Sequence, residues 1–393
     1  MNIKTVTKNV LFLIILSSSG LGWCGDTFFY RIFDAEKFGY MDSRGNVRIP
    51  ISFNYLPHLC VREEEGMLIP CGDRQSAGFC DKSGAMVLER KWTEVSSFVD
   101  GLAVVRNPKL PLPTLCGGLG KEGVIDRTGK WVIKPDYNSC FVANGVMVAN
   151  EFEISLETSA RYPDGRQAST VYNLKGEILF SVEDEAIIGF SDGLFLCYGR
   201  RSGLKFWYRN QDGTRAFDLE FDHAESFTDQ HAVVGQGSKK GIINTSGEYS
   251  IECVMADMKT ISCGLCAARK DNYWGYVDVD GQNVIPFQYE GAGNFAKNGL
   301  APAAIAKDYK PIYGYIDRAG KFVIEPQFVY AGSFIGDIAL VRKPRIDSAP
   351  AETPDTSNNP DDITGEEWAY IDISGNEVWH GADSNPKMFS ASD

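Results

Sequence analysis

The sequence predicts an all-β protein built from tandem β-hairpin repeats, and three observations support this. An Asp or Asn followed three residues later by Gly recurs nine times. A large apolar residue stands four residues after each of these glycines, and a short apolar strand follows in most copies. No convincing helical periodicity occurs after the N-terminal leader. Self-similarity at this period is typical of repeat architectures.

The recurring Asp/Asn-x-x-Gly motif predicts a tight turn. Asp or Asn at the first position accepts backbone N–H bonds, and Gly at the fourth adopts a positive φ at little cost. The shortest spacing between successive turn glycines, 34 residues, is that of the bare unit. The motif occurs at Asp42 with Gly45, Asp81 with Gly84, Asp126 with Gly129, Asn173 with Gly176, Asn210 with Gly213, Asn244 with Gly247, Asp278 with Gly281, Asp317 with Gly320 and Asp372 with Gly375.

Each turn is expected to join two antiparallel strands of a bulged hairpin. β-Forming residues stand two positions before each Asp or Asn, and apolar residues two and four positions after the Gly give a strand alternation. A third strand follows, so each unit is predicted to be a three-strand meander. The nine residues four positions after the Gly, all expected in the core, are Ile49, Leu88, Ile133, Phe180, Phe217, Ile251, Ile285, Ile324 and Trp379.

Two segments carry the pattern most completely. Residues 274–301 begin Trp-Gly-Tyr-Val-Asp, and residues 313–341 begin Tyr-Gly-Tyr-Ile-Asp. They resemble the bacterial WG-repeat family, and the similarity extends over residues from about 38 to 380. Trp begins the motif only at Trp274 and Trp368, and repeats four to six are diverged. The resemblance implies a repeat architecture and a role in binding, without naming a ligand.

We expect repeats one to eight, residues 27–343, to form an elongated, twisted antiparallel solenoid, because stacked units bury a core that no single unit can close. A β-propeller is the alternative, since about eight units of this length fall in its range. Three recognisable strands per unit and unequal repeat lengths favour the solenoid.

The N-terminus has the pattern of a signal peptide, predicted over residues 1–22. Lys4 and Lys8 precede a seven-residue apolar run, which is too short to span a bilayer, and small residues follow. A lipid anchor at Cys24 is the alternative, but Trp23 occupies a position where a lipobox has a small residue. We therefore expect an exported protein, periplasmic or extracellular at the cell surface, with no transmembrane segment.

Export places ten cysteines in an oxidising compartment, where pairing is the default. Cys71 and Cys80 flank a short turn-like stretch and are candidates to pair across neighbouring strands. Cys253 is a candidate to pair with Cys263 or Cys266. The C-x-x-C formed by Cys263 and Cys266 overlays a predicted strand, whereas a redox motif requires a helix N-terminus. A structural or disulfide role is therefore the better interpretation.

Residues 344–367 are predicted to be an acidic disordered insertion, followed by a truncated ninth repeat or cap at 368–380 and a tail at 381–393. The insertion is rich in Pro, Ser, Thr and acidic residues and has few apolar ones. The formal net charge of −13 argues against nucleic acid or an anionic membrane as a partner.

The sequence contains no recognisable catalytic or metal-binding pattern. Asp278 and Asp280 suggest a calcium loop, but Tyr289 stands where an EF-hand has Glu, so a structural turn is favoured. No hydrolase, metalloprotease or P-loop motif occurs, and the four histidines form no recognisable arrangement. We therefore predict no catalytic, cofactor-binding or metal residues.

Three functional hypotheses remain. The first is a non-catalytic scaffold that binds a protein partner, through loops such as 107–120 and 151–168. The second is a carbohydrate-binding envelope module, suggested by the 12% aromatic content. The third is a hydrolase with an unrecognised site.

Overall fold

The computed structural model describes residues 28–34, 37–53, 60–62, 66–73, 76–107, 120–152, 167–199, 204–344 and 366–380. The predicted signal peptide, Cys24, the C-terminal tail and most of the acidic insertion lie outside these residues, as do the central parts of loops 107–120 and 151–168. Within the described part of the chain, every helix or strand assigned is a strand. No helix there is long and apolar enough for a membrane span.

The described residues form nine small antiparallel sheets distributed over two compact units. The first unit comprises residues 28–52 and 255–380, and the second comprises residues 53–254. The first sheet, in the first unit, contains β1 (Phe28–Asp34), β2 (Lys37–Met41) and β3 (Val47–Phe53).

The second unit contains the short strand β4 and five of the sheets. Their strands are β4 (Cys60–Arg62); β5 (Ile69–Gly72), β6 (Ala77–Cys80) and β7 (Met86–Trp92); β8 (Glu94–Val95), β9 (Leu102–Arg106), β10 (Glu122–Asp126) and β11 (Trp131–Tyr137); β12 (Ser139–Ala143), β13 (Val146–Phe152), β14 (Gln167–Asn173) and β15 (Ile178–Glu183); β16 (Glu185–Ser191), β17 (Leu194–Gly199) and β18 (Lys205–Arg209); β19 (His223–Ala224), β20 (His231–Gln236), β21 (Lys239–Asn244) and β22 (Tyr249–Met255).

The remaining three sheets belong to the first unit, and each has four strands in sequential order. They are formed by β23 (Asp257–Met258), β24 (Leu265–Lys270), β25 (Tyr273–Asp278) and β26 (Asn283–Tyr289); β27 (Gly291–Ala292), β28 (Ala301–Lys307), β29 (Lys310–Ile316) and β30 (Phe322–Phe328); β31 (Tyr330–Ala331), β32 (Ile338–Pro344), β33 (Glu366–Asp372) and β34 (Glu377–His380).

The predicted all-β class is confirmed, but the three-strand unit is incomplete. A two-residue strand, such as β23, β27 or β31, precedes the three strands recognised in the sequence. Two residues are too few to produce an alternation of apolar and polar side chains, so the sequence gives no sign of this strand. Four strands in sequential order characterise a β-propeller blade. The sheets have the β-propeller arrangement, which was the alternative, and the elongated solenoid is not confirmed.

The sequence repeat and the sheet are out of phase. Every Asp/Asn turn except the one at Asn210, which follows the last strand of its sheet, joins the two outer strands of one sheet. The third strand of the sequence repeat belongs to the next sheet. Thus β33 and β34, the predicted truncated ninth repeat, complete a four-stranded sheet begun by β31 and β32. The ninth repeat therefore supplies the outer hairpin of the last sheet.

A β-bulge at six of the turn hairpins changes which residues face the core. In the seventh repeat Val277 pairs with Asn283 but Tyr276 pairs with Ile285, so one residue is skipped. The bulge reverses the alternation. The residue four positions after the Gly is buried or half-buried in every copy, as at Ile285, but the residue two positions after it, expected to be inward, is exposed at Val47 and Ile178.

A repeated hydrogen bond ties three of the sheets to the segments that follow them. The buried tyrosines Tyr208, Tyr276 and Tyr315 each donate from the hydroxyl to a backbone carbonyl 17 residues later, at 2.6, 2.8 and 2.9 Å. The bond satisfies a polar group that would otherwise be costly to bury.

In the first unit the last sheet packs against the first strand. Tyr370, at the position of these tyrosines, donates instead to the carbonyl of Arg31 at 2.9 Å. Tyr30 in turn donates to the carbonyl of Ile335 at 2.8 Å. The Phe33 and Trp379 rings pack edge to face with centroids 5.1 Å apart. The N-terminal strand thus provides the packing partner that a following repeat provides elsewhere.

Candidate functional site

The nine predicted turns share one geometry. Each Gly donates its N–H to the carbonyl of the Asp or Asn three residues earlier, and each Gly has a φ of +79° to +86°. At Asp42, Asp81, Asp126, Asp278, Asp317 and Asp372 the carboxylate accepts N–H bonds from the residues two and four positions later. These carboxylates are therefore engaged by their own turns.

Two of the turn aspartates show the electrostatic consequence. A hydroxyl bond from Ser83 lowers the pKa of Asp81, and a hydroxyl bond from Thr128 lowers the pKa of Asp126, with backbone N–H bonds adding to both effects. Across the described residues, no group of three or more His, Cys, Asp or Glu side chains is positioned to hold a metal ion.

The cysteines singled out in the sequence lie on strands or turns. Cys263 precedes Gly264 in a turn, Cys266 lies in β24, and the Cys266 thiol donates to the carbonyl of Lys259 at 2.9 Å. Cys253 lies in β22. The described cysteines form no disulfide with one another. Cys71 and Cys80 are both fully buried, on neighbouring strands.

A charged cleft in the second unit was not foreseen from the sequence. Its volume is about 550 Å³, and its lining includes Glu185, Trp207, Arg209 and Arg215. The buried Glu185 carboxylate accepts bonds from the Trp207 indole N–H at 2.8 Å and from Arg209 Nε at 3.0 Å, and forms an ion pair with the same guanidinium. The Arg215 guanidinium lies 4.8 Å from the Trp207 ring centroid. The carboxylate and the ring face are thus already engaged.

The cleft arises where a sheet lacks its outer strand. In the other repeats a Gly often precedes the buried tyrosine or its equivalent. At five of these glycines an added Cβ would lie only 2.3 to 2.6 Å from a carbonyl oxygen of the outer strand, namely at Gly39, Gly123, Gly241, Gly275 and Gly314. The fifth repeat has Trp207 at this position. Beyond β18 only isolated bridges occur, Phe206 with Phe221 and Arg209 with Arg215. The Trp207 side chain occupies the space that an outer strand would need.

The tip of the β28–β29 hairpin, residues 307–310, is the second surface feature, here called the Tyr309 tip. Lys307 and Lys310 are paired across the strands, and Asp308 and Tyr309 form the turn with φ of +51° and +61°. Tyr309 is fully exposed, and Ile305 nearby is 40% exposed. At the same point, the two preceding repeats carry Gly237-Ser238 and Asp271-Asn272.

Comparison with known proteins gives a family for several of these repeats. The model described as WG containing repeat matches residues 78–107, 123–146, 241–274, 274–305 and 313–343. The chain carries WG repeats. The matched segments include the sixth repeat, which the sequence pattern grouped with the diverged copies. The four turns outside them, at Asp42, Asn173, Asn210 and Asp372, share the hydrogen-bonded geometry of the others.

Searches beyond the family give only distant similarity. No curated protein sequence matches significantly. The WG-repeat chain is similar to the acylaminoacyl peptidase of Pyrococcus horikoshii, with 9% identity, 82% of this chain and 58% of that chain covered, and a TM-score of 0.35. Prolyl oligopeptidase B of Galerina marginata is 9% identical, with 92% of this chain and 52% of that chain covered and a TM-score of 0.37. A chain of a nidogen/laminin complex is 9% identical, with 65% of this chain and 90% of that chain covered and a TM-score of 0.28. The WG-repeat chain spans little more than half the length of the two peptidases.

Proposed function

We propose that this WG-repeat protein is an exported, non-catalytic scaffold that binds a partner protein through the Tyr309 tip. The observation that carries the proposal is the cost of this tip to the fold. A bulky residue with positive φ is uncommon, and turns of this type favour Asn or Gly. Local strain that persists in a fold motivates a search for function. The other two tips compared above carry small polar residues or Gly.

The cross-strand lysines add a second unfavourable element. Like charges directly opposite each other on paired strands are destabilising. Lys307 and Lys310 are directly paired at the end of the hairpin, and both are exposed. In a chain with a net charge of −13, they form a local positive site beside the aromatic ring. Neither the lysine pair nor the exposed tyrosine contributes to packing, so a binding role accounts for them better.

The chemistry of the tip indicates the partner. Tyr is enriched at protein interfaces because its rigid ring buries a large area while its hydroxyl keeps a polar contact. We expect a protein partner with an apolar pocket for the Tyr309 ring and carboxylates placed to pair with Lys307 and Lys310.

Capture from cell-envelope extracts tests this proposal when it is done with matched variants. The wild-type protein and the control Tyr273→Ser, which alters a tyrosine on a neighbouring hairpin, should retain one protein that Tyr309→Ser loses. Truncating an aromatic hot spot weakens binding by about 2 kcal/mol or more, roughly thirtyfold in Kd. The proposal is wrong if Tyr309→Ser retains the same proteins as the wild type.

The alternatives predict different results. A carbohydrate-binding module would bind a glycan array with no dependence on Tyr309. A hydrolase would turn over a substrate and lose activity on substitution of a carboxylate, for which Glu183 in the charged cleft is the exposed candidate. Glu185 is a poor candidate because Trp207 and Arg209 already engage its oxygens.

A further inference from the structure

Three sulfur atoms meet at the hairpin of the second repeat. Cys80 ends β6 and Met86 begins β7, on the two sides of the Asp81 turn, and they are a cross-strand pair. The thiol of Cys71, on β5, donates to Met86 Sδ at 3.5 Å. Cys71 and Cys80 lie on adjacent paired strands, two positions apart in the register. We propose that Cys71, Cys80 and Met86 form a binding site for one copper(I) ion.

The ligand set points to copper(I) over other metal ions. Thiolate and thioether sulfurs are soft ligands that select copper(I), whereas calcium and magnesium require oxygen ligands. Structural zinc sites use four Cys or His ligands. Two cysteines and a methionine provide three sulfurs, and a thioether is a weak ligand for zinc. The site is therefore matched to a soft monovalent ion of low coordination number.

The strand register disfavours the disulfide that the sequence suggested for the same two cysteines. Cys71 pairs with Gly78, and Cys80 pairs with Ile69, so the cysteines are diagonal neighbours two positions apart. Diagonal neighbours are separated by about 7 Å, whereas a disulfide requires Cβ atoms about 4 Å apart. A metal ion can join two cysteines that are too far apart for a disulfide, because each sulfur bonds to the ion, at about 2.3 Å, and not to the other sulfur.

Burial controls access to the site, and binding of the ion releases protons. Cys71 and Cys80 are fully buried, whereas Met86 is 39% exposed, so the ion would enter past the thioether. A thiol must lose its proton to become a metal ligand. Binding breaks two S–H bonds, forms two copper–sulfur bonds and releases two protons to solvent, while copper stays in the +1 state.

The test is titration of the full-length protein with copper(I) under reducing, anaerobic conditions against a competing copper(I) chelator. The wild-type protein should bind one equivalent that Cys71→Ser and Cys80→Ser both lose, with affinity that increases with pH. Met86→Leu conserves the side-chain volume and should weaken copper(I) binding by at least about tenfold. Mutation of a residue that only hydrogen-bonds to a metal ligand already lowers metal affinity by about this factor, and Met86 would be a ligand itself. Cys197→Ser, which alters a buried thiol in another sheet, should leave this equivalent unchanged.

Circular dichroism confirms that each variant is folded. If either serine variant unfolds, X-ray absorption spectroscopy of the copper-loaded wild type takes the place of that variant. Three sulfur atoms bound to copper in the wild type, and two in Met86→Leu, support the site. Copper binding unchanged in Cys71→Ser and Cys80→Ser contradicts the proposal. A Cys71–Cys80 disulfide found by mass spectrometry of the protein before reduction, or tighter binding of zinc than of copper(I), also overturns it.

Discussion

At the scale of single residues, the Gly of the WG motif is explained by a close approach of two backbones. At Gly314 an added Cβ would lie 2.3 Å from the carbonyl oxygen of Ile324, and at Gly275 it would lie 2.6 Å from that of Ile285. In both repeats the strand register shifts at this point. The repeat pattern includes this Gly, but the reason for it is not visible in the sequence, because the close approach depends on the bulge.

Gly314→Ala should therefore destabilise the protein by about 3 kcal/mol, the upper end of the usual cost of overpacking, because the clash is with backbone and cannot be relieved by a rotamer change. Urea denaturation measures the loss. Gly264→Ala is the control: its φ is +74° but an added Cβ meets nothing, so only the conformational cost of about 1 kcal/mol applies. Equal losses in the two variants would contradict this explanation.

The buried tyrosine hydroxyl provides a second test at this scale. Tyr315→Phe leaves the Gly332 carbonyl without its bond, and we expect a loss of about 1 to 2 kcal/mol in the free energy of unfolding. Tyr273→Phe alters a tyrosine that is 47% exposed and should change stability by less than about 0.5 kcal/mol. A Tyr315→Phe variant as stable as the wild type would show that the hydroxyl bond is dispensable.

At the scale of elements, the turns were the most predictable feature and the short strands the least. Asp/Asn and Gly at fixed spacing specify a local conformation, so the turn positions could be read directly from the sequence. The two-residue strand β27 and the pairing of Cys80 with Met86 depend on register, which local patterns do not encode. The charged cleft was not predicted either. The one sequence feature that could have indicated it is Trp207, which stands where other repeats have the motif Gly.

The turn aspartates predict an acid dependence of stability. The folded-state pKa of Asp126 is lowered, chiefly by the Thr128 hydroxyl, so its contribution to stability is present above the ordinary aspartate value of 3.8. That contribution is lost as the pH falls through the lower, folded-state pKa. Asp126→Asn introduces the residue that other repeats have at this position. It should be less stable than the wild type at pH 7, and the difference in the free energy of unfolding should shrink in acid. A deficit of constant size between pH 7 and pH 3 in urea denaturation would contradict the prediction.

The packing of the first strand on the last sheet is a further element-scale feature that the sequence concealed, because the residues involved are more than 300 positions apart. Phe33→Ala should cost about 3 to 5 kcal/mol, since this ring is buried against Trp379. Val47→Ala, on an exposed position of β3, should cost less than about 0.5 kcal/mol. Similar thermal midpoints for the two variants would rule out the packing described.

At the scale of the whole molecule, the nine repeats share a few turn and core positions and differ elsewhere. The nine turns, the core residues four positions later and the all-β class follow from the repeat pattern. The Tyr309 tip and the three sulfurs do not, because they depend on single departures from that pattern. We infer that the part shared by the repeats serves folding and that binding depends on these departures.

Site-specific photo-crosslinking tests the central claim, that the WG-repeat protein is a scaffold whose Tyr309 tip contacts a partner protein. A photoreactive phenylalanine derivative replaces Tyr309 in one sample and Tyr273 in another, and both proteins are irradiated in the cells that produce them. We expect one discrete crosslinked protein at position 309 that is absent at position 273. It should be lost when Lys307 and Lys310 are both changed to Glu. No crosslink at 309, or the same products at both positions, would contradict the claim.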